Sequence, residues 1–377
     1  MAVTIQPVTT ARELRRFIRL PFAIHKRHSL WVPPILKDER RYYDRRRNRA
    51  FQYSDAICFL AHRNGKAVGR IMGLINKRPG DHPECPTARF AALECHEDRE
   101  VAGALTRTVE EWARERGMRK VVGPLGFTDQ DPEGFLVEGF EHEPTIATYY
   151  NFPYIARLLE DLGYRKEVDY VVYRVELSHD PPVAYQRIAQ RCIARGAFDV
   201  KQFRRRAELK PYVLPILRLM NETFARLYGY ERLDEEEMRG LARTYMPVID
   251  PRFVIVALCN GELAAFLVGM PNVSEGLRRA KGHLVPFGIY HILRAMKRSK
   301  QLDLLMGAIK EEYRGRGLDV VGLTSIVRAA REAGFAFIDS HHELETNIRV
   351  RAEMERLGGV VYKRFRVYQK DLKEKEG

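Results

Sequence analysis

Leu304-Leu305-Met306-Gly307-Ala308-Ile309, followed by Glu312-Tyr313-Arg314-Gly315-Arg316-Gly317-Leu318-Asp319, is the stretch around which the 377-residue chain is read. The apolar run has the composition of a buried strand. A basic turn with two glycines follows it. Val320, Val321, Leu323, Thr324, Val327 and Ala330 then recur at helical spacing. A strand that ends in glycines and opens a helix can hold phosphate. Glycine lets the backbone approach an anion closely, and the free N–H groups of the helix N-terminus point at it. The alternative is a plain strand-to-helix turn with Arg314 and Arg316 solvated.

Working outward, the elements around this stretch occur twice. Asn64-Gly65 and Asn260-Gly261 each separate two apolar runs, the strongest short hairpin signal. Gly73 and Asn76 recur as Gly269 and Asn272 at the same offset. Each hairpin leads to a strand and an amphipathic helix closed by glycine, Gly117 in one half and Gly334 in the other. A further helix follows, ending at Gly163 or Gly358, and then a strand. Two insertions break the match, near Pro124–Pro144 in the first half and Val273–Gln301 in the second. The expected fold class is α/β: tandem units, each a mixed, mostly antiparallel twisted sheet flanked by helices, related by a pseudo-two-fold. The joint falls near Ser178–Pro182, giving domains at 1–178 and 183–377. The alternative is chance similarity of two hairpins.

The length calls for two domains, and 45% hydrophobic residues suffice for real cores. No apolar run approaches the roughly 20 residues that cross a bilayer. Met1–Pro7 lacks a signal pattern. Five scattered cysteines without metal spacing suit free thiols in a reducing cytoplasm, and no metal site is expected. A net charge of +14 favours anionic partners. Without a zinc finger, an aromatic RNA-binding run or a basic zipper, nucleic-acid binding is disfavoured. Residues 288–300 form a basic amphipathic pattern, which suits either packing on the core or peripheral contact with an anionic membrane.

This order of elements, with Arg314-Gly315-Arg316-Gly317-Leu318-Asp319 after the fourth strand and Asn347 opening a later helix, resembles the GCN5-related N-acetyltransferase (GNAT) superfamily. Over its full length the chain is similar to bacterial tandem-GNAT proteins. Trp31-Val32-Pro33-Pro34, Gly139-Phe140, Tyr150-Asn151 and Tyr362-Lys363-Arg364 fit that impression. The resemblance implies an acyltransferase that uses acetyl-CoA or another acyl-CoA. Arg314, Gly315, Arg316, Gly317, Leu318 and Asn347 would bind the cofactor. Met306, Gly307, Ala308 and Ile309 would offer backbone N–H groups to the thioester carbonyl. Two positions depart from the family pattern: Asp319 stands where Gly or Ala is usual, and Met354 where a tyrosine acid is usual. In the first half the corresponding loop, Glu94–Glu100, is acidic and free of glycine. One CoA site, in the second half, is expected, with the first half a degenerate copy.

Base candidates gather after the fifth strand: His341, Glu343 and Glu345, which would share one face if the segment were extended. Tyr362 is a candidate acid. In the first-half insertion and just beyond it, Asp129, Asp131, Glu138, Tyr149, Tyr150 and Asn151 are candidate contacts for an amine. The acceptor is a small-molecule or a lipid amine. The function read here is acyl-CoA-dependent N-acyl transfer. One alternative acts on a lipid amine such as a sphingoid base at a membrane surface; another is a non-catalytic CoA-binding module. The expected location is cytoplasmic, with peripheral contact at the inner membrane surface as the alternative.

Overall fold

The computed structural model describes residues 2–78 and 85–372. The chain divides into two compact units. The first comprises Met1–Val171, Val273–Ala295 and Lys363–Gly377, and the second Val172–Asn272 and Met296–Tyr362.

The first unit carries strands β1 (Thr4–Pro7), β2 (Ser54–Arg63), β3 (Lys66–Asn76), β4 (Thr87–Cys95), β5 (Lys120–Gly123), β6 (Phe135–Glu138) and the start of β7 (Arg165–Glu176). The second carries β8 (Asp199–Gln202), β9 (Val254–Cys259), β10 (Glu262–Pro271), β11 (Gln301–Ile309), β12 (Phe337–Asp339), β13 (Glu343–Leu344) and the first residues of β14 (Val360–Asp371). Both expected hairpins form. Asn64 and Gly65 have φ of 54° and 71°, and Asn260 and Gly261 have 51° and 82°. That left-handed pair is what a two-residue hairpin of this twist requires.

In the first unit β1, β2, β3, β4 and β5 lie side by side, with the end of β14 antiparallel to β5. Alternation sorts the side chains onto two faces. Ile71 and Phe90 meet Val101, Leu105, Val109 and Trp112 of the helix Arg99–Arg114. Met72 and Leu74 meet Phe17 and Ile18 of the helix Ala11–Ile24. A Cβ on Gly69 would sit 2.8 Å from both Val101 and Leu105, so this glycine sets how closely the helix packs. The second unit repeats the plan with the order β12, β11, β10, β9, β8. Val254, Val256, Phe266 and Val268 pack on the helix Val213–Phe224, and Ala257 and Ala265 on Val183–Ala194 and Leu318–Glu332.

The compact units do not follow the expected division at 178–183. Two segments of the second half join the first unit. Arg364–Arg366 of β14 pair with β6, and Tyr368–Asp371 pair with β5. The second-half insertion forms the helices Ser274–Ala280 and Gly288–Arg298. It is anchored by the Ser274 hydroxyl donating to the Pro144 carbonyl at 2.6 Å and by Arg278 paired with Glu143 at 2.6 Å. Sheet pairing and a half-buried ion pair decide membership here, not proximity in sequence.

Candidate acyl-transfer site

In the second unit β11 runs antiparallel to β10, with a register break that leaves Leu305 between the partners of Val268 and Gly269. Its other edge pairs with β12 only over Gln301–Asp303. From Leu304 onward the two strands part, so Met306, Gly307, Ala308 and Ile309 lie along an edge that β12 does not cover. β11 then turns into the helix Leu318–Glu332. Gly315 and Gly317 take φ of 72° and 88°, and Gly317 occupies the N-cap without any side-chain cap. The first-turn N–H groups therefore stay available to an anion. Arg314 donates from Nε to the Ile309 carbonyl at 3.3 Å, and the Arg316 guanidinium lies 5.4 Å from the centre of the Tyr313 ring. The thiol of Cys192 reaches the Arg316 carbonyl at 3.4 Å, tying the turn to the helix Val183–Ala194.

Asp319, the departure from the expected motif, hydrogen-bonds with Glu353 of the helix Ile348–Arg356. Burial first and then Asp319 hold the Glu353 carboxyl up at about 7. Asn347 stands at the N-cap of that helix but makes no side-chain cap bond. Met354, where a tyrosine is usual, is buried.

The base candidates do not share one extended face. His341 has φ of +60°, and its N–H donates to Asp339 Oδ1 at 2.7 Å. This turn interrupts the strand, and β13 resumes for two residues only. Glu343 lies half-buried there. Burial raises its carboxyl to about 8, with Glu353 adding to the rise. Glu345 serves through its backbone carbonyl, which accepts from Arg351 at 2.8 Å. The Tyr362 hydroxyl donates to Asp339, and burial together with that carboxylate pushes its pKa far above the ordinary value. Tyr362 is thus a poor proton donor to a leaving thiolate. Asp339 and Asp303 are fully buried at the root of the split strands, where the Gln301 amide donates to Asp303 at 2.7 Å.

The first unit repeats the split but closes the anion site. β4 pairs with β5 only over Thr87–Arg89, and its register against β3 breaks near Ala92, which has φ of +52°. The next helix, Arg99–Arg114, is capped by Asp98, whose carboxylate accepts from the N–H groups of Glu100 and Val101. Arg63 pairs with both Asp98 and Glu100 at 2.5 Å. Carboxylates occupy the place a phosphate would take.

Beneath this split lies a polar cluster that the sequence did not announce. Arg70 faces Glu94 across the β3–β4 ladder, with Nε 3.3 Å from Oε2. His25 Nε2 is 3.8 Å from Glu94 Oε1, and its ring stacks between Trp31 and Phe152. Burial, then His28 and Arg70, hold His25 neutral, with its pKa down at about 3. Burial pushes the Glu39 carboxyl up to about 7, against the pull of Arg70. The Tyr149 hydroxyl accepts the Ala92 N–H at 3.2 Å and so fixes the bulge. Asp131 accepts from the Tyr42 hydroxyl at 2.9 Å and from the Phe127 N–H at 2.7 Å. Of the other amine-contact candidates, Asn151 is bonded in both directions to the Leu136 backbone, Tyr150 donates to the Phe140 carbonyl, and Glu138 pairs with Arg364. Asp129 lies in the same loop and adds to the burial that raises Glu133 to about 8. Tyr149 and Asp131 thus join the cluster, whereas Asn151, Tyr150 and Glu138 fasten the loop that carries it.

Residues 24–129 match the model of the acetyltransferase (GNAT) family. These residues lie in the first unit, outside the Gly315–Gly317 turn. The chain is 29% identical over 382 residues to a protein of Caulobacter vibrioides named bacterial ceramide synthase, covering 98% of each chain. It is 25% identical to protein YghO of Escherichia coli, covering 96% of this chain and 93% of that one. Among solved structures, a tandem GNAT protein from the clavulanic acid biosynthesis pathway superposes with a TM-score of 0.56 at 13% identity, covering 99% of this chain and all of that one. The chain resembles the GNAT superfamily in its tandem form. Residues 24–129 carry its acetyltransferase domain.

Proposed function

We propose that the chain transfers an acyl group from acyl-CoA to the amino group of a long-chain lipid amine of the sphingoid-base kind. The observation that carries the CoA assignment is the contrast between two helix N-termini. Leu318–Glu332 opens on an uncapped left-handed glycine beside an unpaired strand edge, whereas Arg99–Arg114 is closed by carboxylates. The pyrophosphate would lie on Gly315, Arg316, Gly317 and Leu318, with Arg314 and Arg316 supplying charge and Asn347 a free amide. In this reading Glu343 takes a proton from the acceptor ammonium. The free amine attacks the thioester carbonyl, whose oxygen draws on N–H groups of Met306–Ile309. The nitrogen then gives up its second proton to solvent, the C–S bond breaks, and the CoA thiolate leaves and takes a proton from solvent. The relative named as a ceramide synthase supports the lipid acceptor. Such an acceptor resides in a bilayer, so peripheral contact of a cytoplasmic protein through residues 288–300 belongs to the same reading.

Titration calorimetry with acetyl-CoA and longer acyl-CoAs tests the donor site, and thioester consumption with a panel of amines tests turnover. Arg316→Glu is expected to weaken acyl-CoA binding by roughly tenfold or more, since it removes a charge-assisted contact and adds repulsion. Unchanged affinity would remove the turn from the site. Binding without turnover on any amine would favour a CoA-binding module.

A second reading is favoured by the first-unit cluster. Its buried carboxyl groups, Glu39, Glu94, Asp131 and Glu133, outnumber its guanidinium groups, Arg70 and Arg89, and aromatic rings flank them. That composition suits an organic ammonium. Here Glu39→Gln raises KM for the amine and abolishes an ionisation near 7, whereas in the first reading that variant leaves both unchanged.

A further inference from the structure

Residues 276–302 contain no Asp or Glu and seven Lys or Arg. Arg278 and Arg279 are paired with Glu143 and Glu275. Lys281, Arg294, Lys297, Arg298 and Lys300 have no carboxylate partner among the described residues. In the middle of this run the helix Gly288–Arg298 is rooted on one side only. Gly276 of the neighbouring helix packs so closely that a Cβ there would lie 2.6 Å from the Ile292 Cα and 3.0 Å from the Ala295 Cβ. Gly288 and Ala295 are buried in that contact. The opposite side and the loop leading into it expose apolar residues, with the exposed Lys297 on the same side toward the end of the helix. Val285 is 76% exposed, Phe287 67%, Tyr290 57%, Ile289 51% and Leu293 44%.

Single exposed apolar residues are ordinary, but five within nine positions mark a surface that meets something. The bland expectation of packing on the core therefore applies to Ile292 and Ala295 and not to Ile289, Leu293 or the loop before them. We propose that Val285, Phe287, Ile289, Tyr290 and Leu293 enter the interface of an anionic lipid bilayer, with Arg294, Lys297 and Arg298 against its headgroups. Charge chooses this occupant. Two copies meeting face to face would bring the same unpaired cations together, and an isologous contact has no acidic counterpart here. An anionic bilayer offers apolar depth and negative charge in one surface. The Tyr290 hydroxyl, 3.3 Å from Arg294 Nη1, sits where an amphipathic side chain meets the headgroup level. The anchored helix Ser274–Ala280 presents the face without requiring it to fold on contact.

This deepens the lipid-amine reading above, and its test uses neither acyl-CoA nor amine, so either can fail alone. The full chain is sedimented with vesicles of phosphatidylcholine and with vesicles that also contain phosphatidylglycerol, at low and high salt. Binding is expected only with phosphatidylglycerol and is expected to fall with salt. Phe287→Ser with Leu293→Glu should reduce it more than tenfold. Lys297→Glu and Arg298→Glu should each reduce it about fivefold at low salt. Far-UV circular dichroism and Tm are measured on every variant to confirm folding. In Phe287→Trp, brominated acyl chains should quench fluorescence beyond the background from Trp31 and Trp112. No sedimentation with phosphatidylglycerol, equal binding to both vesicles, or no quenching at position 287 overturns the proposal.

Discussion

Glu343 carries its proton into the neutral range because its carboxylate would lose hydration near Glu353 without gaining a cation. For a base this has a kinetic consequence. The deprotonated form must accumulate before it can act, so the rate with a lipid amine should rise with pH and level off above about 8. Glu343→Gln should cost roughly 10²-fold or more in kcat and erase that limb. A pH–rate profile of both proteins checks it, and an unchanged limb in the variant moves the base elsewhere. Stability has the opposite slope. The folded pKa lies above the ordinary carboxyl value, so the folded state binds the extra proton between about 4.5 and 8. That contribution is complete below the lower value and is lost as pH rises through the upper one. Glu343→Gln should therefore lower Tm less than wild type on going from pH 6 to pH 9, provided that pH range is taken across the rise at about 8. Differential scanning in the two buffers reads this without any substrate.

The two helices that follow the split strands differ in how their N-termini are satisfied, and the difference separates stability from binding. Asp98→Ala removes a carboxylate that accepts two backbone N–H groups and an ion pair to Arg63. Loss of about 1 kcal/mol is expected, with acyl-CoA affinity unchanged. Gly317→Val should weaken acyl-CoA binding, because φ of 88° disfavours a branched side chain and strains the turn that presents the N–H groups. Thermal melts should fall for both variants, and calorimetry separates them, because only Gly317→Val loses acyl-CoA affinity. These glycines and the Asn-Gly turns were legible in the sequence because each is a local demand of the backbone. The turn at His341 was not, because the histidine pair reads as extended until the Asp339 side chain takes its N–H. The first-unit cluster was also hidden. His25, Glu39, Arg70, Glu94 and Tyr149 have no common spacing, and only the register of β3 on β4 and the long loop after β5 bring them together.

At the scale of the molecule, the order of elements around each hairpin was legible in the sequence, but which segments each compact unit contains was not. A strand with alternating apolar residues does not state which sheet it joins, and β14 is such a strand. Its residues Phe365, Val367 and Tyr368 are buried, and the backbone from Tyr368 to Asp371 supplies the edge of β5 with its partners. A fragment ending at residue 178 lacks these residues and also lacks the helix whose Ser274 and Arg278 bond Pro144 and Glu143. Each lost apolar side chain is worth about 1.5–3 kcal/mol of burial. Three of them, with an uncovered sheet edge, approach the whole stability of an ordinary domain, about 5–15 kcal/mol. The fragment 1–178 should thus fail to fold and should aggregate through the edge of β5. Adding residues 273–298 and 360–372 through short linkers should restore a cooperative melt. Soluble expression, far-UV circular dichroism and thermal melting of both pieces decide it. A native-like cooperative transition in 1–178 alone would show that the exchanged segments are dispensable for the first unit.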